Sequence, residues 1–438
     1  MTKGISEREL VLGILLEVTE KGEYSHLVLR SVLEKYQYLE KKERAFITRL
    51  TEGTLERMIE LDYILNQFSK VKVKKMKPVI RNIMRMAVYQ IKYMDTVPDS
   101  AACNEAVKLA VKKGFVNLKG FVNGVLRSVV RGIDSISYPM ETDSVAYLSV
   151  TYSMPEWIVR KWLGAYDYAT VEKMLQGFLE EKPTTIRINP TKMEKEELIA
   201  SLTAAGVKVE EHEYLSYALQ ISGYDYLADL NSFREGAFSV QDISSMMVAQ
   251  IASPQEADLV IDVCAAPGGK ALQMAEMLHG TGQVIARDLT DYKVGLMREN
   301  IARLGLENVS AQVWDATVFD ESMVEKADIV IADLPCSGLG VIGKKTDIKY
   351  KMTEDTQKEL VQLQRRILSV VQNYVKPGGK LIYSTCTINA EENEENVRWF
   401  LTEHTNFQNL QIEGRESLQL LPGIHKSDGF FIAAFRKE

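Results

Sequence analysis

The chain has 438 residues, 46% of them hydrophobic and 26% charged, with a formal net charge of −7, enough for two or three domains with cores of their own. No uninterrupted apolar run approaches the roughly 20 residues of a membrane helix, and residues 1–8 lack the apolar centre of a signal peptide, so a soluble, cytoplasmic protein without membrane attachment is expected. The four cysteines, at 103, 264, 336 and 386, form no Cys-x-x-Cys pair and the five histidines are scattered, which argues against a disulfide framework and against a metal site.

Residues 1–140 hold 24 Lys and Arg against 16 Asp and Glu, whereas the remainder holds 29 against 44. A basic front joined to an acidic body suits one module with nucleic-acid affinity and another with a different task. Leu10, Ile14, Leu15 and Val18, then Phe46, Leu50, Leu55, Met58 and Ile59, then Ile80, Ile83, Met84, Ala87, Val88 and Ile91 recur at helical spacing, and predict six or seven helices over the first 135 residues. The densest basic cluster, Lys70, Lys72, Lys74, Lys75, Lys77, Arg81 and Arg85, is the best candidate for phosphate contact, although a solvated helix face explains any one of these residues equally well. The strings Asn104–Ala110 and Phe121–Arg127 resemble the NusB-type RNA-binding helical domain, which residues 1–138 are expected to form.

Residues 139–238 read as a helical linker and a small α+β, RRM-like module expected to bind RNA. Helices are predicted at 156–163 and 168–179, a strand at 184–189, a helix at 195–205 and a strand around 207–209. Arg187 and Asn189 alternate with apolar neighbours, share one face of the first strand, and could contact RNA there.

From 239 to 438 strands and helices alternate, which predicts a mainly parallel, Rossmann-like α/β sheet covered on both faces. The strands are expected at 259–263, 283–286, 309–313, 328–332 and 380–383, with helices such as 292–304 and 357–374 between them, and Glu391–Glu395 as a helix start. Ligands of such sheets bind beyond the carboxyl ends of the strands, where Asp262, Asp288, Asp315, Asp333 and Cys386 all fall. The first strand runs into Cys264-Ala265-Ala266-Pro267-Gly268-Gly269-Lys270, whose small residues admit a ligand against the backbone before a helix begins. It matches neither the dinucleotide nor the triphosphate fingerprint. Asp288, 20 residues beyond Gly268, could accept both hydroxyls of a ribose, and Asp315 an adenine amino group, so a nucleoside-bearing cofactor is expected.

Two cysteines complete the pattern, Cys336 in Asp333-Leu334-Pro335-Cys336 and Cys386 in Ser384-Thr385-Cys386-Thr387. A cytosine C5 is too weak a nucleophile to take a methyl group unless something adds first at C6, and a thiolate does this well. Together with Pro377-Gly378-Gly379-Lys380, the whole resembles the Sun family of RNA cytosine-C5 methyltransferases. The resemblance implies S-adenosylmethionine as cofactor, held by Cys264–Lys270, Asp288, Asp315 and Asp333. It further implies Cys386 as nucleophile, Cys336 as the second thiol, and RNA, specifically 16S ribosomal RNA, as substrate; in such a reaction Asp333 is expected at the base, and Lys270 either orients the base, holds the thiolate or simply starts the helix. Leu334, in place of a small alanine, and Arg287, in place of an apolar residue, depart from the family pattern. A transfer-RNA substrate, a non-catalytic RNA-binding factor, a DNA cytosine methyltransferase with Cys336 as nucleophile, and an NAD-dependent oxidoreductase are the competing readings. Cys103 reads as a buried apolar residue.

Overall fold

Leu10, Ile14, Leu15 and Val18 line one side of α1 (Glu7–Lys21) and are buried, as their spacing requires. The computed structural model describes residues 5–438; part of the stretch read above for a leader, residues 1–4, lies outside the described residues. Six further helices complete the basic front: α2 (Ser25–Lys35), α3 (Lys41–Glu56), α4 (Met58–Phe68), α5 (Pro78–Tyr93), α6 (Asp99–Lys112) and α7 (Lys119–Gly132). Pro78 opens α5 at a position where its missing N–H costs nothing, and Ile80, Ile83, Met84, Ala87 and Val88 then enter the shared core. Cys103 is buried in the same core. Three more helices, α8 (Ser144–Thr151), α9 (Glu156–Ala165) and α10 (Tyr168–Leu179), belong to this compact unit, which also takes in the later segment Ile342–Lys351. Within the unit the Asp347 carboxylate accepts from the amide and hydroxyl of Ser25 at 3.2 and 2.6 Å, and the buried Lys349 ammonium donates to the Glu56 carbonyl at 2.8 Å.

The basic cluster is smaller than its sequence suggests. Arg85 is buried and gripped by both oxygens of Asp62 at 2.6 Å, and Arg81 pairs with Glu20, because helical spacing turns both toward neighbouring helices. Lys70, Lys72, Lys74, Lys75 and Lys77, on the turn between α4 and α5, remain exposed.

The second compact unit spans Glu180–Val341 and Met352–Glu438. It begins with β1 (Thr184–Ile188), α11 (Lys195–Ala204), β2 (Lys208–Glu211), β3 (Ala218–Ser222), the short α12 (Asn231–Arg234) and β4 (Phe238–Val240). The four strands form an antiparallel sheet in the order β2-β3-β1-β4, closed over Ile186, Ile188, Leu198, Leu202, Leu219 and Phe238. The strands β3 and β4, only five and three residues long, carry no sequence signal that separates them from loop.

Arg187 and Asn189 do not face solvent: they are 2% and 1% exposed. Alternation in β1 correctly puts them on one face, but that face is covered, and the Arg187 guanidinium donates to Glu276 at 2.7 and 3.2 Å, to the Gly269 carbonyl at 3.0 Å and to Gln241. The proposed RNA contact by these two residues is therefore withdrawn.

The rest of the unit runs α13 (Ile243–Ala252), β5 (Leu259–Asp262), α14 (Gly269–Met277), β6 (Gln283–Asp288), α15 (Asp291–Leu304), β7 (Val309–Val313) and β8 (Ala327–Asp333). After the excursion containing α16 (Ile348–Lys351) come α17 (Glu354–Val371), β9 (Val375–Thr385), α18 (Glu394–Glu403), β10 (Phe407–Leu410), β11 (Leu418–Leu420) and β12 (Phe430–Lys437). The sheet order is β10-β12-β9-β8-β5-β6-β7, with β11 beside β12. Strands β5 to β9 are parallel, whereas β12 runs antiparallel between β9 and β10. Apolar layers cover both faces, one including Val260, Met274, Val284 and Ile432, the other Ile261, Leu368, Tyr383 and Phe431. Leu334 is buried in the second layer, and the buried Arg287 pairs with Asp320 at 2.6 Å and stacks on Trp314, so both departures from the family pattern are absorbed locally. Among the described residues no helix is long and apolar enough to cross a membrane.

Candidate active site

The carboxyl ends of β5, β6, β8 and β9 deliver Asp262, Asp288, Asp333 and Thr385 with Cys386 to one edge of the sheet. Between β5 and α14 the chain turns at Gly268, whose φ of +110° is costly for any side-chain-bearing residue, and α14 begins at the next residue. The Ala266 amide donates to Asp288 at 3.0 Å, so the second strand end fixes the loop that follows the first. The other Asp288 oxygen accepts from Leu289 N–H at 2.8 Å and pairs with Lys293 at 3.0 Å. Asp315 lies beyond β7, exposed, where the hydroxyl and amide of Thr317 hold its carboxyl below the ordinary range.

Asp262 is the unsatisfied member of this edge. It is fully buried, one oxygen accepts from Cys264 N–H at 3.3 Å, and the other has no partner. Burial, opposed by Lys270, pushes its carboxyl up to about 7. An orphaned buried carboxylate oxygen beside a glycine-turned helix start is suited to a ligand that carries positive charge and hydrogen-bond donors, and S-adenosylmethionine, with its sulfonium and ammonium groups, meets that description. The Cys264 thiol is pushed up by burial and by Asp262, Asp288 and Asp333, which leaves it an inert part of the loop.

Next to this edge Lys270, near the start of α14, places its ammonium 2.6 Å from Asp333 and over the Phe430 ring. Burial pulls this ammonium down, but Asp333, Asp262 and Cys386 outweigh it and hold the charge above its ordinary value. The second Asp333 oxygen accepts from the Ser384 hydroxyl at 2.8 Å. The two cysteines, 50 residues apart in sequence, have their sulfurs 3.2 Å apart without a disulfide between them. Their loops are held by backbone: Gly340 N–H donates to the Cys386 carbonyl and Gly429 N–H to the Gly340 carbonyl, both at 2.9 Å. A Cβ on Gly340 would overlap the Gly429 carbonyl, so this clamp requires glycine.

Sequence reasoning missed what stands behind the thiols. Glu392 and Asn393, read as the start of a helix, precede α18 and are fully buried. Glu392 accepts from the Ser337 amide and hydroxyl, from Gln364 and from Asn389, while Asn393 accepts from the Thr385 hydroxyl at 2.6 Å and donates to the Thr387 carbonyl at 3.2 Å. One short acidic segment thus holds the residues flanking both cysteines. No spacing rule could have found it, because its partners come from β9, α17 and the loop after β8.

Comparison with known proteins agrees with this geometry. The family described as 16S rRNA methyltransferase RsmB/F matches residues 249–436, the NusB family matches residues 5–131, and a ferredoxin-like domain of RsmF/B-like methyltransferases matches residues 154–224. A probable ribosomal RNA small subunit methyltransferase B of Bacillus subtilis (strain 168) is 37% identical over the whole of both chains, and its namesake in Synechocystis sp. is 32% identical over 99% of this chain and 100% of its own. Among solved structures, PH0851 superposes with a TM-score of 0.83 at 26% identity over 98% of each chain. NSun6 from Pyrococcus horikoshii, solved with SFG, shares the fold at 24% identity with a TM-score of 0.58, over 65% of this chain and 98% of its own. A catalytic family match over the α/β region removes the non-catalytic and oxidoreductase readings. With relatives of 37% and 32% identity over the full length and a family match across the α/β region, the chain belongs to the RsmB/F family of S-adenosylmethionine-dependent 16S rRNA methyltransferases.

Proposed function

We propose that the protein methylates C5 of a cytosine in 16S ribosomal RNA, the nucleotide numbered 967, through a covalent bond between Cys386 and C6 of the base. The observation that carries this reading is the 3.2 Å approach of two cysteines that no disulfide joins, beside the Lys270–Asp333 pair. The target base would be flipped into the pocket, since C6 is out of reach in a stack. Cys386 sulfur then bonds to C6, and the C5–C6 π pair moves toward N3, which takes up a proton and makes C5 nucleophilic. Asp333, held by Lys270 and Ser384, faces the amino group and the N3 proton. Bound S-adenosylmethionine supplies an electrophilic methyl group on a sulfonium centre. The loop Cys264–Lys270, with Asp262, Asp288, Asp315 and Asp333, would hold that cofactor. Once C5 is methylated, it releases its proton, the S–C6 bond breaks with its electron pair returning to Cys386, and N3 gives up its proton.

The test is a trap. RNA carrying 5-fluorocytosine at the target cannot release the C5 substituent, so a stable adduct forms on the attacking residue. An adduct mapped to Cys386, lost in Cys386→Ala and retained in Cys336→Ala, is the expected result, with turnover of Cys386→Ala lowered by at least about 10⁴-fold. An adduct on Cys336, or none, overturns the reading. Bisulfite sequencing of 16S and transfer RNA with and without the protein reads the nucleotide.

A further inference from the structure

The 3.2 Å contact between the sulfurs leaves room for one proton between them and does not by itself say which thiol owns it. Their surroundings are unequal. On the Cys386 side stands a cation, Lys270, whose charge is strengthened by the Cys386 sulfur. On the Cys336 side stands an anion. Glu392 is 0% exposed and none of the ion pairs among the described residues involves it.

Four donors converge on that carboxylate. One oxygen accepts from the Ser337 hydroxyl and, at 2.9 Å, from Asn389, and the other from the Ser337 amide at 2.8 Å and from Gln364 at 3.1 Å. Two donors on each oxygen is the acceptor-only pattern of an ionised carboxylate. Two of the four donors, one on each oxygen, come from Ser337, the residue after Cys336, whereas the loop that carries Cys386 contributes only Asn389, three residues on, so the negative charge is held closer along the chain to Cys336.

We propose that Glu392 is a positioning residue that keeps the shared proton on Cys336, so that Cys386 is the thiolate and Cys336 is the hydrogen-bond donor to it. This inference rests on the covalent reading above and deepens it. Cys336 then stabilises the Cys386 sulfur twice, before it bonds to C6 and again as it leaves with the electron pair of the S–C6 bond. The C5 proton passes to water, because a thiol held protonated cannot accept it. The groups facing Cys336 all act in this direction except one backbone amide. The contact with Cys386, burial and the negative charge of Glu392 push its thiol well up, and a hydrogen bond from the Gly338 amide lowers it. Tyr383, from β9, lies close to Cys336 and donates its hydroxyl to the Glu392 carbonyl. Lys270 feels the Cys386 sulfur, and Asp333, three residues before Cys336, is tied to Lys270 and to Ser384, two residues before Cys386.

The test needs no RNA. The full chain is treated with iodoacetamide over a range of pH, and alkylation of each cysteine is followed by mass spectrometry of its peptide. In the unsubstituted protein Cys386 should label at lower pH than Cys336. In Glu392→Gln the Cys336 midpoint should fall by about one pH unit, equivalent to about tenfold more thiolate at a given pH. Ser337→Ala, which removes hydrogen bonds from the same network and leaves the charge, should leave the midpoint within about 0.3 unit. Labelling of Cys336 before Cys386, an unmoved midpoint in Glu392→Gln, or an equal shift in Ser337→Ala each overturns the proposal. The first comparison stands even if Glu392→Gln fails to fold. A Cys386 adduct in the fluorocytosine trap alongside an unmoved midpoint sinks this inference alone, whereas the absence of any adduct sinks the covalent reading.

Discussion

The helix α14 carries an ion pair at each end, one partly open and one buried, and the two do different things. Near its start, Lys270 and Asp333 have side chains 12% and 26% exposed and face the strand edge where ligands bind. Near its end, Glu276 and Arg187 are 4% and 2% exposed and join the helix to β1 of the small α+β module. A pair enclosed on every side has its desolvation cost set by partners that never change, so it can only fix geometry. A pair left partly open can trade its contacts for those of a substrate. Burial, rather than the presence of opposite charges, separates the structural pair from the catalytic candidate.

The comparison is broken most directly at Arg187. Replacing it with methionine strands the Glu276 carboxylate, which burial already pushes upward, and should cost about 3–5 kcal/mol in guanidinium unfolding, with turnover at saturating cofactor little changed. Replacing both partners, Arg187→Met with Glu276→Met, should recover most of that loss. Retained stability with lost turnover in the single variant would place the pair in the chemistry instead. Lys270→Met should behave oppositely, lowering kcat by about 10²–10³-fold while the melting temperature moves by only a few degrees. A large loss of stability there would erase the distinction between the two ends.

The smallest effect lies beside the open pair, at Asp262. Its carboxyl is raised in the folded chain from an ordinary value near 3.8 to about 7, so the folded state holds a proton that the unfolded state has released over that interval. The protonated carboxyl therefore supports the ligand-free fold fully below about pH 4, and that support is lost as pH rises through 7. The melting temperature of Asp262→Asn relative to the unsubstituted protein should accordingly rise between these limits. A flat difference would mean that the orphaned oxygen finds a partner in solution.

How far the site could be read from sequence depended on whether its signal was local. Apolar runs that end in a polar residue placed Asp262, Asp288 and Asp333 at strand ends, and Gly268 announced a turn that only glycine adopts without strain. Phe430–Lys437 went unread, since a short continuous apolar run fits a strand or a buried helix segment equally well. Arg187 was put on the correct face of its strand and the wrong side of the molecule, because alternation fixes relative orientation and says nothing about what covers it.

What the amino-acid order determined by itself is whatever depends on a few consecutive residues: helical and strand periodicity, the glycine turn, the identity of thiols and carboxylates at strand ends. What only the tertiary structure decided is what those groups meet. The 3.2 Å sulfur contact, the ion pairs at the two ends of α14 and the bonds from Ser337 and Gln364 to Glu392 join residues 28 to 89 positions apart. Such contacts depend on strand order and on which faces are covered, and these are settled by the burial of apolar surface over a whole unit at once, so no local pattern encodes them.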